Sequence, residues 1–339
     1  MPCGSIKYHF QPHPLLRGGH LQTFGGQLGA PPLDPNAHSQ HFWTEVSDGD
    51  QLIHYVDEPV DALPSCPTVL TLHGLGGSSD SSYNLRLRDK LVQKGVRVVR
   101  FNHRGCGVDR SVRPTHGIYH AGRTDDVLAT LRAVATRWSS APFVALGFSL
   151  SGNILLRLLG TQQMAIRSIP NLISAASICS PVDLEACSQS LIKHRNKLID
   201  RYYVKNMLAL VTHRANLLNE ALPEAYYSKN ITLRDFDAFY TAPRAGFQSR
   251  DEYYRLSSSQ SVLKEIQLPT LVLAAADDPV VPVQSLLDAH FSRHCTMHIE
   301  RTGGHMGFIQ KSRTPWGDRR WMDAFLVDWC LQRLKGSRA

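Results

Sequence analysis

The sequence predicts an α/β protein built on a mostly parallel central sheet with helices on both faces. Three observations predict this class: short apolar runs alternate with helical stretches, several runs end in glycine, and one long helix-like block interrupts the alternation. Strands that are joined by helical crossovers pair in parallel, and such a sheet is covered on both faces. The 339 residues, 42% of them hydrophobic, are enough for the large core that this architecture needs.

The predicted elements follow one another from residue 41. HFWTEVSDGDQLIHYVDE has two strand-like runs around a Ser-Asp-Gly-Asp turn, which predicts an antiparallel hairpin. Strand, helix, strand and helix follow in TVLTLHG, SSYNLRLRDKLVQKG, VRVVRFNHRG and TDDVLATLRAVATRW. Asp125 and Asp126 lie in the first turn of the second helix, where carboxylates favour the helix dipole. PFVALGF as a strand, a helix from Leu150 and ISAASICSP as a strand continue the alternation.

The alternation stops at Asp183. Residues 183–259 are helix-like, polar and aromatic, and the strand pattern returns only with PTLVLAAADD, followed by CTMHIER and a final helix in RRWMDAFLVDWCLQRL. We therefore predict a core formed by residues 41–182 and 260–339, with residues 183–259 inserted as a helical cap. Residues 1–40 are predicted to be an irregular segment that packs on the core.

Composition narrows the class of protein. The seven cysteines are scattered and form no C-x-x-C pair, so neither a disulfide framework nor a zinc site is indicated. No signal peptide or membrane-spanning apolar stretch is evident, which predicts a soluble, cytoplasmic protein. Part of the formal charge of +8 lies in residues 193–214. This basic segment is interpreted as a solvated helix face rather than a nucleic-acid site, because no nucleic-acid motif accompanies it.

One candidate nucleophile stands at a strand-to-helix turn. In ALGFSLSGN, Ser149 follows an apolar strand and precedes a helix, as in the G-x-S-x-G nucleophile elbow. Gly147 supplies the small residue two positions before the serine, whereas Ser151 stands where the second glycine is expected. The motif alone also matches an ordinary turn. Its position between strand and helix favours the nucleophile.

A base and an orienting carboxylate follow at the ends of later strands. Asp277 and Asp278 end one strand, and His305 lies in the glycine-rich loop after the next. The order Ser, Asp, His is the order that hydrolases with this elbow use. A helix-capping carboxylate and a loop histidine are the alternatives for the single residues. The three together predict a catalytic triad, because each lies at the end of a different strand.

The tetrahedral intermediate of acyl transfer needs backbone N–H donors. The loop LHGLGGSSDSSY follows an early strand, and the N–H groups of Leu75 and Leu150 are the predicted pair of oxyanion donors. The glycines of this loop could instead cradle a phosphate. The loop lacks the Gly-Lys-Ser/Thr ending of a P-loop and the spacing of a dinucleotide site, so we predict no nucleotide cofactor.

The chain resembles the α/β-hydrolase superfamily and, within it, the YheT-like branch. The segments that carry the resemblance are GGHLQTF, LHGLGGSS, FNHRGCG, GFSLSGN, CSPVDL, FDAFYTAPRAGF, YYRLSS, PTLVLAAADDP and GGHMGF, in the order found in the family. The resemblance implies carboxylic ester hydrolysis with Ser149 as nucleophile, His305 as general base and acid, and Asp278 as orienting carboxylate. Asp278 is preferred to Asp277 because Pro282 completes the Asp-x-x-x-Pro turn of the family. Family members usually carry glycine where this chain has Ser151.

These observations predict a serine carboxylesterase that hydrolyses short- to medium-chain esters through an acyl-enzyme, without a metal or organic cofactor. Aromatic residues of the cap are expected to roof the acyl pocket, although for most of them singly the favoured interpretation is that they only pack the cap onto the sheet. The alternative is a phospholipase or lysophospholipase whose basic segment meets anionic membranes. Eukaryotic relatives that act on phospholipids carry an N-terminal membrane anchor; no such anchor is expected here, which favours soluble esters and keeps lipid as the alternative. A third hypothesis is a binding protein without catalysis. The natural ester, the acyl-chain length and the oligomeric state are not predicted.

Overall fold

A single eight-stranded sheet runs through the protein. The computed structural model describes residues 9–27, 39–107, 115–228 and 230–336. The strands are β1 (Gln40–Glu45), β2 (Gln51–Asp57), β3 (Thr68–Leu72), β4 (Arg97–Phe101), β5 (Phe143–Phe148), β6 (Leu172–Ile178), β7 (Thr270–Ala275) and β8 (Cys295–Glu300). Their order in the sheet is β1-β2-β4-β3-β5-β6-β7-β8.

Twelve α-helical segments are found in the described residues. They are α1 (Gly19–Gln27), α2 (Ser82–Val92), α3 (Thr124–Arg137), α4 (Leu150–Thr161), α5 (Gln163–Arg167), α6 (Leu184–Leu191), α7 (Lys197–Leu218), α8 (Leu233–Phe236), α9 (Ala242–Arg244), α10 (Arg250–Ser257), α11 (Val283–Leu287) and α12 (Trp321–Gly336). A π-helical turn at Asp237–Thr241 joins α8 to α9, and 3₁₀ turns lie at His194–Asn196, Glu224–Tyr227 and Gln260–Glu265. None of these helices is long and apolar enough to cross a membrane.

The predicted α/β class and the mostly parallel sheet are confirmed. β1 and β2 form the antiparallel hairpin, β2 pairs antiparallel with β4, and the strands from β4 through β3 to β8 are parallel. Successive side chains of a strand point to opposite faces. Leu70 accordingly joins an apolar cluster with α3 and α4, while Val69 joins another with α2 and α12. Both faces of the sheet are therefore covered by helices.

Between β6 and β7 the described residues form helices and turns. This stretch includes α6 to α10, and its longest helix, α7, has 22 residues. Several of its buried side chains, among them Phe236, Tyr240, Tyr253 and Tyr254, belong to the same apolar cluster as α3 and α4. The helical stretch thus packs on the sheet domain through aromatic side chains.

The prediction of an irregular segment over residues 1–40 is wrong for Gly19–Gln27, which form α1. The buried face of this helix consists of Gln22, Thr23 and three glycines instead of an apolar stripe. Helix prediction relies on apolar residues recurring with a period of 3.6, so a polar and glycine-rich face escapes it. Residues 1–8 and 28–38 lie outside the described residues.

One buried arginine ties the hairpin to the helical layer. The Arg104 guanidinium pairs with Asp48 at 2.7 Å, with Asp50, and with Asp126 at 2.7 Å. Asp48 and Asp50 belong to the β1–β2 turn, and Asp126 to the first turn of α3. Removing one partner of such a buried ion pair typically costs about 3–5 kcal/mol. The NHRGCG segment therefore contributes to the structure by holding these two elements together.

Candidate active site

Ser149 occupies a strained turn between β5 and α4. Its backbone has φ 51° and ψ −118°, a conformation that L-residues rarely adopt and that active sites tolerate. The turn is sharp enough that a Cβ on Gly147 would lie 2.7 Å from the carbonyl oxygen of Ser151. Only glycine fits at position 147. The Ser149 side chain is thereby held at the carboxyl end of the sheet, where α/β sheets bind ligands.

The three side chains that the sequence places at separate strand ends lie in contact. His305 Nε2 is 3.0 Å from Ser149 Oγ, and His305 Nδ1 is 2.9 Å from Asp278 Oδ2. All three residues are at most 9% exposed. Because a carboxylate only accepts hydrogen bonds, Nδ1 carries the proton and Nε2 is left to accept the serine hydroxyl. This is the arrangement in which an imidazole can act as a base towards a serine.

The two neighbouring aspartates have different partners. Asp278 accepts the N–H groups of Val280 and Val281 at 2.8 and 3.0 Å through the oxygen that does not bond His305. Asp277 instead accepts the Gly304 N–H at 2.9 Å. Burial raises the pKa of Asp277. The geometry thus assigns the histidine ring to Asp278, whereas Asp277 braces the loop that carries His305.

Helix α1 supports the histidine loop, which the sequence analysis did not predict. The backbone N–H of His305 donates a hydrogen bond to Thr23 Oγ1 at 2.8 Å. A Cβ on Gly304 would lie 2.2 Å from the Gly19 carbonyl oxygen, so helix and loop meet through glycine backbone. The signal in the sequence is GGHLQTF together with GGHMGF, two glycine pairs that permit this close approach. The first motif therefore holds the second in place.

Leu75 and Leu150, the expected oxyanion donors, lie beside Ser149. Both line a cavity with Ser149, and their backbone N–H groups have no acceptor within the described part of the chain. The flanking donors of the first loop are occupied, since the Gly74 N–H bonds the Tyr83 hydroxyl at 2.9 Å. The Gly76 N–H bonds the Tyr119 hydroxyl at 2.8 Å. These two tyrosines fix the loop; Tyr83 ends the same loop segment, whereas Tyr119 lies 43 residues beyond Gly76 and no local pattern connects it to the loop.

Ser151 connects α4 to the loop that contains Leu75. Its hydroxyl donates to the carbonyl oxygen of His73, the residue that precedes Gly74. His103 Nε2 lies 2.6 Å from the same hydroxyl, and the His103 N–H donates to His73 Nε2 at 3.2 Å. Burial lowers the pKa of His73 to about 4, so both rings stay neutral near pH 7. The serine in place of glycine therefore has partners on the loop rather than on Ser149.

Two cavities meet at Ser149. The larger has a volume of about 450 Å³ and a polar wall that includes Ser78, Asp80, Ser81 and Ser82. The smaller, of about 70 Å³, is lined mostly by apolar side chains. Its lining includes Leu75, Leu150, Leu184, Leu191, Tyr203, Tyr253, Tyr254 and Val280. One polar and one apolar recess thus share Ser149 in their walls.

The aromatic side chains within positions 183–259 differ in which cavity they line. Tyr203 lines both cavities, and Tyr202 lines the larger one. Phe236 and Tyr240 instead line a separate recess with Arg104 and Arg214. Phe239 and Phe247 pack against the core without lining either cavity at Ser149.

In the smaller cavity the Asp237 carboxylate accepts a hydrogen bond from the Tyr254 hydroxyl at 2.8 Å, and burial raises the pKa of Asp237 to about 6.

The candidate triad also has a buried thiol beside it. The ligand atoms of Cys179, Asp278 and His305 lie within 4.8 Å of one another, a grouping that offers metal ligands. The Asp278 carboxylate and His305 Nδ1 already bond each other. Burial holds the pKa of the Cys179 thiol well above its usual range. Because the Asp278 carboxylate and the His305 ring are engaged with each other, we interpret the thiol as a packing group behind the candidate triad.

Comparisons with known proteins agree with this fold. Residues 67–312 match the family model described as the alpha/beta hydrolase fold. "Putative esterase YheT" of Escherichia coli (strain K12) is 30% identical over 325 residues, which cover 93% of this chain and 91% of that protein. "Phospholipase ABHD3" of Mus musculus is 31% identical over 266 residues, 78% of this chain and 62% of that protein.

Among solved structures, the esterase Pf2001 of Pyrococcus furiosus superposes with a TM-score of 0.57 at 15% identity, over 89% of this chain and 94% of that one. At this low identity the superposition bears on the fold alone. The family match and the relative from Escherichia coli together cover most of the chain. The chain is therefore a hydrolase of the α/β-hydrolase family and belongs to its YheT-like branch.

Proposed function

We propose that this hydrolase is a serine carboxylesterase that acts on short- to medium-chain esters. The observation that carries the proposal is the hydrogen-bonded series from Ser149 through His305 to Asp278 at the junction of two cavities. The names of relatives, an esterase in Escherichia coli and a phospholipase in mouse, support cleavage of carboxylic esters.

In the proposed mechanism Ser149 Oγ attacks the ester carbonyl carbon while His305 Nε2 takes the hydroxyl proton. The intermediate collapses as the bond to the alcohol oxygen breaks, and His305 returns its proton to that alcohol. A water molecule then attacks the acyl-enzyme with His305 as base, and the acid leaves as Ser149 Oγ regains a proton. Asp278 keeps the Nδ1 proton in place and stabilises the imidazolium.

The negative charge of each tetrahedral intermediate lies on the former carbonyl oxygen. The N–H groups of Leu75 and Leu150 are proposed to donate to it, because both are without an acceptor in the described residues. Removing one such donor in comparable enzymes costs about 3–4 kcal/mol of transition-state stabilisation. The tyrosines behind the loop would keep the Leu75 donor in place before substrate arrives.

The two cavities suggest how the ester is divided. The small apolar cavity suits the acyl chain, and its volume of about 70 Å³ favours short to medium chains. The larger polar cavity suits the alcohol. Residues 183–259 contribute Leu184, Leu191 and Tyr253 to the apolar wall. We assign this segment the role of a cap between core residues 41–182 and 260–339.

The test compares wild type with Ser149→Ala on p-nitrophenyl esters from acetate to palmitate, together with labelling by a fluorophosphonate. We expect wild-type rates that peak at short or medium chains, and one labelled site. Ser149→Ala should lose both. The matched control is Ser174→Ala, which removes another buried hydroxyl, one that bonds the Pro269 carbonyl. Hydrolysis or labelling that persists in Ser149→Ala at the wild-type level would refute the assignment.

A second candidate is a phospholipase or lysophospholipase. The volume and polar wall of the larger cavity favour it, because they leave room for a glycerophosphate group. Release of fatty acid from lysophosphatidylcholine by wild type, and its absence in Ser149→Ala, is the expected result. If wild type cleaves p-nitrophenyl esters but leaves lysophosphatidylcholine intact, the simple esterase is the better assignment.

A further inference from the structure

The exposed face of α7 carries apolar and cationic side chains next to one another. Leu198, Arg201, Tyr202 and Lys205 follow the spacing that places residues on one side of a helix. Leu198 is 66% exposed and Tyr202 50% exposed. The opposite face, which includes Val204 and Met207, is buried. A helix with an apolar and basic outer face is a pattern found in proteins that lie on membrane surfaces.

A second exposed apolar pair lies on α1. Leu21 is 49% exposed and Phe24 is 41% exposed, three residues apart on the face that points away from the protein. The His20 ring bonds Asn196 at 2.7 Å, directly before α7 begins, so the two helices are neighbours. The exposed residues of these two helices and of residues 192–195, just before α7, form one surface, which we call the rim. Its members are Leu21, Phe24, Ile192, Lys193, Arg195, Lys197, Leu198, Arg201, Tyr202 and Lys205.

The rim carries positive charge that other side chains leave uncompensated. Its five cations, Lys193, Arg195, Lys197, Arg201 and Lys205, are exposed and form no ion pair within the described residues. The single acidic residue of residues 193–214 is Asp200, which is buried and accepts the Leu233 N–H at 3.0 Å. The charge of this face is therefore available to an external anion.

The rim also borders the entrance to Ser149. Tyr202 of α7 and Gln27 at the end of α1 both line the larger cavity. A Cβ on Gly76 of the oxyanion loop would lie 3.0 Å from Asn206 Cβ of α7, so the helix rests against that loop. A partner that binds the rim would therefore lie at the entrance of the larger cavity.

We propose that the rim docks on the surface of an anionic lipid bilayer. The cations meet lipid phosphates, and the apolar side chains enter the boundary between headgroups and acyl chains. The interleaved leucines and aromatic rings favour a bilayer over a nucleic acid or an acidic protein, which offers no apolar layer to enter. Docking itself does not depend on the proposed esterase activity. Delivery of a lipid ester to Ser149 does rest on it.

The experiment measures sedimentation with vesicles of phosphatidylcholine alone or mixed with phosphatidylglycerol, using Ser149→Ala so that no lipid is consumed. We expect binding to the anionic vesicles that weakens with salt. A single lysine near such a surface strengthens binding about fivefold, so K193Q/K197Q/K205Q should weaken it by on the order of 100-fold. The matched control, R132Q/K264Q/K335Q, removes three exposed cations outside the rim and should keep most of the binding.

A second pair of variants tests the apolar contribution. L21S/L198S should weaken vesicle binding, whereas L63S/M164S, which alters two exposed apolar residues elsewhere, should not. All four variants, made also with Ser149 intact, should hydrolyse soluble p-nitrophenyl butyrate at the wild-type rate. Equal binding by rim and control variants would overturn the proposal, as would no binding of the parent protein. Loss of binding in the charge variant alone would also overturn it, because a polyanion site needs no leucines.

Discussion

At the scale of single residues, Ser151 stands where the nucleophile-elbow motif has its second glycine, and its hydroxyl has two hydrogen-bond partners. It donates to the His73 carbonyl at the start of the oxyanion loop and lies within hydrogen-bond distance of His103. Ser149 is not among its partners. This arrangement links the helix that carries the nucleophile to the loop that carries Leu75. We interpret Ser151 as a positioning residue for the oxyanion donors.

Ser151→Ala should therefore reduce kcat for p-nitrophenyl butyrate about tenfold with little change in KM, which corresponds to about 1.4 kcal/mol of transition-state stabilisation. The reason is that the His73 carbonyl loses its partner and the loop is held less firmly. Steady-state kinetics and thermal unfolding measure the two effects separately. Ser174→Ala, which removes a buried hydroxyl away from the site, should lose similar stability, on the order of 1–3 kcal/mol, but keep kcat. An unchanged kcat in Ser151→Ala would contradict the positioning role.

At the scale of elements, the helices between β6 and β7 supply one wall of the small cavity. Leu184 at the start of α6 and Tyr253 and Tyr254 of α10 face the recess beside Ser149. Other lining residues, among them Leu75, Leu150 and Val280, come from the sheet domain. The acyl space therefore depends on how this helical segment packs on the strands. Side-chain size on α6 should determine acyl-chain length.

Leu184→Ala should shift the preferred substrate towards longer chains, because truncation adds room to the proposed acyl recess. The measurement is the ratio of kcat/KM for p-nitrophenyl octanoate to that for the acetate, and we expect a rise of several-fold to tenfold. Burial of one additional methylene of the acyl chain contributes roughly 1 kcal/mol, which corresponds to about a fivefold change in kcat/KM. Leu210→Ala is the matched control, because Leu210 lines the other cavities and not this one. The same chain-length profile in Leu184→Ala and wild type would show that the acyl chain lies elsewhere.

At the scale of the whole molecule, several buried histidines link stability to pH. Burial lowers the pKa of His54 and His120 to about 3 and that of His73 to about 4. In the unfolded chain a histidine has a pKa of about 6.5. Between these values the unfolded state binds protons that the folded state does not. The free energy of unfolding must therefore fall as pH falls below about 6.5.

His54→Phe should make this pH dependence shallower. His54 is fully buried and stacks on Phe101, so a phenyl ring keeps the packing while removing one group that takes up a proton on unfolding. One histidine contributes up to about 1.4 kcal/mol per pH unit below pH 6. Urea unfolding at several pH values measures the slope, with the exposed His41 replaced by Gln as the control. A slope in His54→Phe that equals the wild-type slope would contradict this account.

The sequence alone determined the class of the fold and the candidates for the site. Apolar runs with crossovers predicted the parallel sheet, and Ser149, Asp278 and His305 were identified from strand ends and motifs. Their contacts agree with that expectation, while their catalytic roles, the cap boundaries and the cytoplasmic location stay predictions. Local sequence patterns suffice for these predictions because strand burial and turn chemistry depend on residues that are neighbours along the chain.

Only the tertiary structure decided what surrounds that site. It formed α1 from a polar and glycine-rich stretch, paired the Asp277 carboxylate with the Gly304 N–H, and gave Ser151 its partners. It also brought α1 beside α7, so that separate exposed residues became one surface. Each of these features joins residues far apart along the chain. Such contacts arise from the packing of separate elements, so the hydrophobic periodicity of a single segment does not predict them.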